Sequence, residues 1–277
     1  MLDKLFTQFL REKQYLENLS PKTIKYYRWV FNRWSDHINE MPDKMNIKEF
    51  VISLNQSNLL PFTVNSYIRG MNCFLSWLYE NEQTAEHLKI KKIKTGTRGI
   101  KTYSDTDLKK ILAFHPKTFT DHRLYAMICL MLDCGVRIDE CLTLKRESVD
   151  LDNLLIKVIG KGDKERLIPI GIECRKYLYK FLKRHESEVV FPSRDGTKIE
   201  YKTALDQLKL VSSPMHVSFH KFRHTFASCY VRDGGNVFFL QRILGHSDLQ
   251  TTKIYIESSI EDLQLTHMKI SLLNRLK

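Results

Sequence analysis

The chain has 277 residues, 43% of them hydrophobic, which suits two modest soluble domains better than one large core. No run approaches the roughly 20 apolar residues that a membrane-spanning helix needs, so we expect no membrane partner. The formal net charge is +12, a balance that favours a polyanionic partner, most often nucleic acid. A basic soluble protein without such a partner is the alternative on charge alone.

The six cysteines do not form the pattern of a disulfide framework. They are scattered through apolar stretches, and the sequence contains no C-x-x-C pair. The first residues, MLDKLFTQFLREKQ, mix charged and apolar side chains from the start, unlike a secretory signal peptide. We therefore expect buried free thiols in a reducing compartment, and a cytoplasmic protein.

Residues 1–88 have the periodicity of a small all-helical domain with four helices. Ser20 followed by Pro21 is typical of a helix start, Asn46 is a candidate cap for the third helix, and Pro61 begins the fourth. Basic side chains on the outer faces would contact phosphates along a duplex, or would simply be solvated. These side chains are Lys22, Lys25, Arg28, Arg33 and Arg69.

A lysine-rich segment, residues 89–101, interrupts the helical pattern. It carries two glycines and shows no helical period, so we predict a flexible basic linker. Such a linker could cross a nucleic-acid backbone, with Lys101 as one contact, or be a solvated tether. The remaining residues, 102–277, would form a second domain that begins with a capping box at Ser104.

The segment from Gly135 to Glu140 follows a long apolar run that predicts a buried helix. We expect Gly135 to end that helix in the left-handed conformation and Arg137 to begin a short helix. Glu140, three residues after Arg137, could share its face and orient an arginine or histidine, or form a plain surface ion pair.

Residues 153–170 carry the strongest strand signals of the chain. Two apolar, β-branched runs are separated by Gly-Lys-Gly-Asp-Lys, which is typical of a β-hairpin with Lys161 at its turn. The G-x-x-x-x-G-K-[ST] spacing of a phosphate-binding loop is absent, so nucleotide binding is unsupported.

The most informative stretch is residues 216–257. His220, Arg223 and His224 are spaced so that a helix would put all three on one face. Arginine matches phosphate oxygens with a planar fork of donors, and histidine moves protons near neutral pH. A tyrosine hydroxyl such as that of Tyr255 needs a base and cations to act as a nucleophile. Without a carboxylate cluster or further zinc ligands, this set indicates covalent phosphoryl transfer that uses no metal.

Several boxes of the sequence resemble those of the tyrosine recombinase family, which includes phage integrases and Xer-like proteins. The family's H-x-x-R-H box is similar to residues 220–224, its L-G-H segment to residues 244–246, and its late tyrosine to Tyr255. Its G-L-R-I-S-E box is similar to residues 135–140, with valine for leucine and aspartate for serine, and its G-K-G-x-K-x-R hairpin to residues 160–166.

The resemblance implies a mainly α-helical fold with a small β-hairpin or sheet. A helical core-binding domain would occupy residues 1–88, and a catalytic domain with a C-terminal subunit-exchange tail would occupy residues 102–277. It also implies a DNA strand transferase that needs no cofactor, metal or ATP. The implied catalytic residues are Arg137, Lys161, His220, Arg223, His246 and the nucleophile Tyr255.

The resemblance also implies roles outside this set. Lys161 would be the general acid, Lys164 and Arg166 would contact the DNA backbone, Glu140 would act from behind the catalytic residues, and His224 would be structural. The implied partners are double-stranded DNA with inverted core sites and a homotetramer on that DNA, assembled through the amphipathic tail 258–277, which could instead pack on its own subunit.

Two kinds of recombination remain open: integration or excision of a mobile element, and resolution of DNA dimers. DNA relaxation like that of a type IB topoisomerase is one alternative function. A catalytically silent DNA-binding protein is the other.

Overall fold

The computed structural model describes residues 1–37, 40–96, 99–160 and 164–245, together with Tyr255 and Met268. The chain divides into two compact units, residues 1–98 and residues 99–277. Helices predominate, and a small antiparallel sheet accompanies them, so the predicted fold class is confirmed. Within the described ranges, no helix has the length and apolar character to cross a membrane.

The first unit contains four helices, α1 (Leu2–Tyr15), α2 (Pro21–Ser35), α3 (Lys44–Gln56) and α4 (Pro61–Glu80). Ser20 caps α2 as predicted, because its hydroxyl accepts the backbone N–H of Thr23. The cap of α3 is Asp43 rather than Asn46. The Asp43 carboxylate accepts the N–H of Asn46 at 2.7 Å, and the Asn46 side chain completes the capping box from inside the helix.

Aromatic side chains from three of these helices form the centre of the first unit. Phe6 of α1 stacks on Phe31 of α2 with 3.7 Å between ring centroids, and Phe74 of α4 meets both rings edge-on. Burial of such large rings stabilises a domain of this size. The core-facing sides of the helices are thereby fixed, and the basic side chains of α2 and α4 point outward.

An extended segment after α4 is attached to the first unit. The Asn72 side chain bonds the backbone N–H and C=O of Ile90 at 2.8 and 2.9 Å, and the Asn65 side chain does the same at Ile93, at 2.9 Å each. Leu88 and Ile90 are buried in the aromatic core. The first residues of the predicted flexible linker are therefore fixed on this unit, because two amides satisfy their backbone groups.

The second unit is built around the buried helix α6. In the described residues up to 245 its helices are α5 (Asp105–Leu112), α6 (Phe119–Cys134), α7 (Ile138–Leu142), α8 (Ile172–Leu182), α9 (Tyr201–Ser212), α10 (Phe219–Arg232) and α11 (Val237–Leu244). Helix α6 packs against both α8 and α10. The predicted capping box at Ser104 is present, and Gly135 ends α6 in the left-handed conformation as predicted, with φ +60°.

The sheet of the second unit has three antiparallel strands in the order β1 (Val149–Asp150), β2 (Leu155–Ile159) and β3 (Glu165–Pro169). Ile156 of β2 pairs with Ile168 of β3, and both are completely buried, which fixes the register of the hairpin against the core. The predicted hairpin is thereby confirmed. Its turn, with Lys161, lies outside the described residues.

Candidate active site

Arg223 of α10 is held by the carboxyl ends of two other helices. Its Nη1 donates to the carbonyl oxygen of Gly135 at the end of α6, and its Nη2 to that of Leu244 at the end of α11, both at 2.7 Å. Helix carboxyl ends carry partial negative charge, so they stabilise a buried guanidinium. Burial, followed by the charge of Arg137, lowers the pKa of Arg223 to about 10, which leaves it charged at neutral pH.

Gly135 is needed at this point for two reasons. Its φ of +60° is strained for residues with a side chain. A Cβ atom at this position would also lie 2.3 Å from Cδ1 of Phe226 on α10. Glycine therefore lets α6 end close against α10, where its carbonyl oxygen reaches Arg223.

Glu140 of α7 binds two arginines. Arg166 donates from Nη1 and Nη2 to the two carboxylate oxygens at 2.9 and 2.8 Å. Arg137 donates from its backbone N–H at 2.7 Å and from Nη1 at 2.8 Å. Burial raises the pKa of Glu140, but the hydrogen bonds from Arg166 and Arg137 outweigh it and bring the pKa below its ordinary value. An ionised Glu140 thus fixes the direction of the Arg137 side chain.

The structure corrects the expectation that Arg166 contacts the DNA backbone. Its guanidinium is bound to Glu140, its Nε donates to the carbonyl oxygen of Ile243 at 2.8 Å, and its side chain is only 12% exposed. The alternation along β3 is the signal in the sequence, since Arg166 shares a face with the buried Ile168. Arg166 is an internal link between β3, α7 and α11.

The first turn of α10 carries His220, and Tyr103 fixes the start of that turn. The Tyr103 hydroxyl donates to the carbonyl oxygen of Ser218 at 3.1 Å and accepts the Ser218 N–H at 2.9 Å. The Lys221 ammonium lies over the same ring, 4.2 Å from its centroid. His220 itself is exposed at the surface of the second unit.

The ring of Tyr255 lies against an apolar cluster on α10 and α11. The cluster consists of Ala227, Leu240 and Leu244, surrounded by Phe226, Tyr230 and Val231. The Tyr255 hydroxyl is 2.8 Å from Nδ1 of His224. Burial raises the pKa of Tyr255 above its ordinary value, and the charges of Arg223 and then Arg137 offset only part of that rise. The hydroxyl therefore lies in the electrostatic field of both arginines.

Four of the six residues that the resemblance marks as catalytic are described. The structure gathers three of them, Arg137, Arg223 and Tyr255. His220 is exposed one helical turn from His224, while Lys161 and His246 lie outside the described residues. The contact of His224 with Tyr255 was not predicted from the sequence. The one-turn spacing of the two histidines on a shared helix face was the signal available for it.

Most of the other basic residues predicted to contact DNA are exposed, namely Lys22, Lys25 and Arg28 on α2, Arg69 on α4, and Lys101 and Lys164 in the second unit. Arg33 on α2 is only partly exposed, and its Nη2 donates to the Ser57 hydroxyl at 2.9 Å. Aromatic rings lie on the same two helices of the first unit. Trp29 stacks on Tyr67 with 4.1 Å between ring centroids, and the Tyr26 hydroxyl donates to the carbonyl oxygen of Ser66 at 2.5 Å. These contacts tie α2 to α4.

One group of possible metal ligands lies close together in the described part of the chain, namely Asp133, Cys134 and Cys174. A hydrogen bond with Cys174 and burial raise the pKa of the Cys134 thiol well above its ordinary value. A protonated thiol is a poor metal ligand. The Asp133 carboxylate accepts the N–H of Gly171 at 2.6 Å, so one of its oxygens is occupied by the start of α8.

The described site places a tyrosine beside two arginines, in a mainly helical unit with a small antiparallel sheet, and such a set of side chains is suited to phosphate chemistry. The sequence profile described as the phage integrase family matches residues 101–261 of the chain, more than half of its length. The chain therefore belongs to the phage integrase family.

The sequences of two tyrosine recombinases match this chain along nearly its whole length. The chain is 28% identical to tyrosine recombinase XerD of Pseudomonas putida, over 95% of each protein, and 28% identical to tyrosine recombinase XerA of Thermococcus kodakarensis, over 94% and 93%. These relatives and the family show that the chain is a tyrosine recombinase, an enzyme of site-specific DNA recombination.

Solved structures show the same fold. The Tn1549 transposon integrase in complex with a circular intermediate DNA gives a TM-score of 0.80 at 17% identity, covering 97% of this chain and 98% of that one. The XerH recombinase bound to a palindromic difH substrate, in a post-cleavage complex, gives 0.73 at 19% identity, covering 96% and 83%.

Proposed function

We propose that this recombinase breaks and rejoins double-stranded DNA through a covalent 3′-phosphotyrosyl bond at Tyr255. The observation that carries the proposal is the environment of one hydroxyl group. The Tyr255 hydroxyl bonds His224 and lies in the field of Arg223 and Arg137. A phenol becomes a competent nucleophile when cations stabilise its ionised form and a base lies beside it.

The two arginines bind the scissile phosphate in this proposal. Arg223 and Arg137 hold its non-bridging oxygens and stabilise the extra charge of the transition state. Their orientation supports this role, because Gly135 and Leu244 fix Arg223 while Glu140 fixes Arg137. Groups that are fixed before the substrate arrives need not reorganise during the reaction.

Three further residues complete the proposed chemistry. Lys161 protonates the departing 5′ oxygen, for which its pKa must be lowered by neighbouring cations. His220 acts at the phosphate as a proton acceptor or a hydrogen-bond donor, and its exposed place at the start of α10 leaves it accessible to DNA. His246 adds another donor.

The covalent bond conserves the energy of the phosphodiester, so rejoining needs neither ATP nor a metal ion. The 5′ hydroxyl of a second DNA strand reverses the step, which exchanges strands. We propose that inverted core sites bind a homotetramer, in which the tail 258–277 of one subunit docks on a neighbour. That tail lies outside the described residues apart from Met268.

We assign DNA binding to both parts of the chain, with a core-binding domain at 1–88, a linker at 89–101 and a catalytic domain at 102–277. The exposed basic residues of α2 and α4 support phosphate contact by the first domain, and exposed Lys101 and Lys164 support it for the linker and the second domain. The similar XerH structure is bound to a difH substrate, and the similar Tn1549 integrase structure is a complex with a circular intermediate DNA. The proposed place of action is the cytoplasm, on DNA of a mobile element or of a dimer.

The test uses nicked DNA substrates drawn from the region that flanks the protein's own gene. We expect an SDS-resistant, protease-sensitive protein–DNA complex with the wild-type protein and none with Tyr255→Phe. DNA relaxation without any site requirement would instead favour topoisomerase-like activity. A gel shift without a covalent complex on any substrate would favour a silent DNA-binding protein.

A further inference from the structure

His224 is the histidine that touches the proposed nucleophile. Its Nδ1 lies 2.8 Å from the Tyr255 hydroxyl oxygen, and the two rings are 5.9 Å apart at 46°. The tyrosine ring is fixed from the other side by the apolar cluster that contains Ala227, Leu240 and Leu244. The apolar cluster holds the tyrosine ring, so its hydroxyl group lies at one particular ring nitrogen, Nδ1 of His224.

Burial and, after it, the neighbouring positive charges lower the pKa of His224 and favour its neutral imidazole. Burial, then the charges of His220 and Arg223 on the same helix, lower the pKa of His224 below 6.5. The charges of Arg223, and of Arg137 at the start of α7, act to lower the pKa of the adjacent Tyr255 against the effect of its burial. A neutral imidazole has one nitrogen with a free lone pair, so it can accept a proton where a charged one cannot.

We propose that His224, through Nδ1, is the general base that takes the hydroxyl proton of Tyr255 during cleavage, an inference that rests on the proposed recombinase mechanism. The bond from the phenolic oxygen to phosphorus forms, and the bond from phosphorus to the 5′ oxygen breaks. The phenolic proton passes to His224, and the 5′ oxygen takes a proton from Lys161. Religation reverses each transfer, and the imidazolium returns its proton to the phenolic oxygen.

The timing of the transfer follows from the acidities. The phenol of Tyr255 has a far higher pKa than the imidazole, so the proton does not leave in the resting enzyme. As the phenolic oxygen bonds to phosphorus, its basicity falls sharply, and the proton then moves along the existing hydrogen bond to Nδ1 of His224. This assignment leaves exposed His220 to donate a hydrogen bond to a phosphate oxygen.

The first test separates proton transfer from positioning. In His224→Asn the amide oxygen lies near the place of Nδ1, so it can still accept the tyrosine hydrogen bond but cannot take the proton. We expect single-turnover formation of the covalent complex on nicked DNA to slow by about 100-fold. The control is His115→Asn, on the exposed loop between α5 and α6, which should cleave like the wild type. Thermal unfolding and gel shifts confirm that each variant folds and binds DNA.

The pH profile supplies the decisive signature. Wild-type cleavage should fall as the pH drops through the pKa of His224, below 6.5, because the protonated ring cannot accept. His224→Asn should lack that fall. The proposal is overturned if His224→Asn cleaves at the wild-type rate and shows the same fall at low pH. It is also overturned if His224→Asn cleaves faster than the wild type, because His224 would then restrain the tyrosine.

A DNA-free measurement distinguishes failure of this inference from failure of the proposed function. Nitrogen-15 NMR of the imidazole should show Nδ1 unprotonated in the wild type, with a resonance that moves in Tyr255→Phe. A protonated Nδ1 overturns the base assignment even if the wild-type protein cleaves DNA. A wild-type protein that gives no covalent complex on any substrate overturns the proposed function, and the base assignment with it.

Discussion

Arg166 and Glu140 form a bidentate ion pair, with N–O distances of 2.9 and 2.8 Å, behind the partly exposed guanidinium of Arg137. Because β3 supplies one partner and α7 the other, this pair fixes the hairpin to the helix that begins at the proposed catalytic arginine. The positions of Arg137 and Arg223 are therefore set by internal contacts, before any DNA is bound.

Removal of the Glu140 carboxylate should destabilise the second unit. Glu140→Ala leaves two closely spaced guanidinium groups without their shared anion, so we expect a loss of about 3 kcal/mol in the free energy of unfolding, measured by urea titration. Glu147→Ala is the matched control, since that exposed carboxylate pairs loosely with Lys145 at 3.7 Å. A loss below about 1 kcal/mol for Glu140→Ala would contradict the role assigned to the pair.

The same carboxylate should make stability sensitive to acid. The pKa of Glu140 is lower in the folded protein than its ordinary value of 4.5, so its contribution is present above pH 4.5 and is lost as the pH falls through the folded pKa. Urea midpoints measured between pH 3 and 6 should fall more steeply for the wild type than for Glu140→Gln. Parallel curves for the two proteins would show that Glu140 does not carry this dependence.

Gly135→Ala should damage the site through sterics and not only through backbone strain. The new Cβ would be strained at φ +60° and would collide with Phe226 at 2.3 Å, which displaces the carbonyl that binds Arg223. Gly234→Ala is the control, because that glycine has φ +87° but open space around it. We expect about 1 kcal/mol of destabilisation for the control and clearly more for Gly135→Ala, with loss of cleavage in the latter alone.

Arg223→Lys should slow cleavage while DNA binding is retained. A lysine cannot reach the carbonyl oxygens of Gly135 and Leu244 and the phosphate with the same planar fork of donors. We expect single-turnover cleavage to fall by about 100-fold with an unchanged gel shift. Arg232→Lys, at the exposed end of the same helix, should behave like the wild type. Equal rates for the two variants would remove Arg223 from the proposed mechanism.

The asparagine contacts along α4 should protect the lysine-rich segment from proteolysis. Asn72→Ala removes two hydrogen bonds to the backbone of Ile90, so trypsin should cut near Lys89 and Lys91 about tenfold faster. Asn55→Ala, on the exposed face of α3, is the control. An unchanged cutting rate in Asn72→Ala would show that the segment does not need this contact to stay in place.

Much of the fold could be predicted from short-range patterns. The caps at Ser20 and Ser104 and the helix end at Gly135 depend on neighbouring residues only, so the local sequence specifies them. The hairpin was equally accessible, because the alternation of β-branched residues and the glycines at its turn are local signals.

The contacts that the sequence did not predict join residues far apart in the chain. Glu140 is 26 residues from Arg166, and His224 is 31 residues from Tyr255. Nothing in either neighbourhood identifies the partner, since a carboxylate or a histidine is compatible with many contacts. Likewise, the lysines and glycines of residues 89–101 predicted a flexible basic linker, but Asn72 and Asn65 bind the backbone of its early residues Ile90 and Ile93.

The most direct test of the account is the identity of the residue that becomes bonded to DNA. The covalent complex formed on nicked DNA would be digested with nuclease and protease and analysed by mass spectrometry. We predict one modified peptide, with a nucleotide attached through its 3′ phosphate to Tyr255. Attachment through a 5′ phosphate, or to any other residue, would contradict the proposed mechanism.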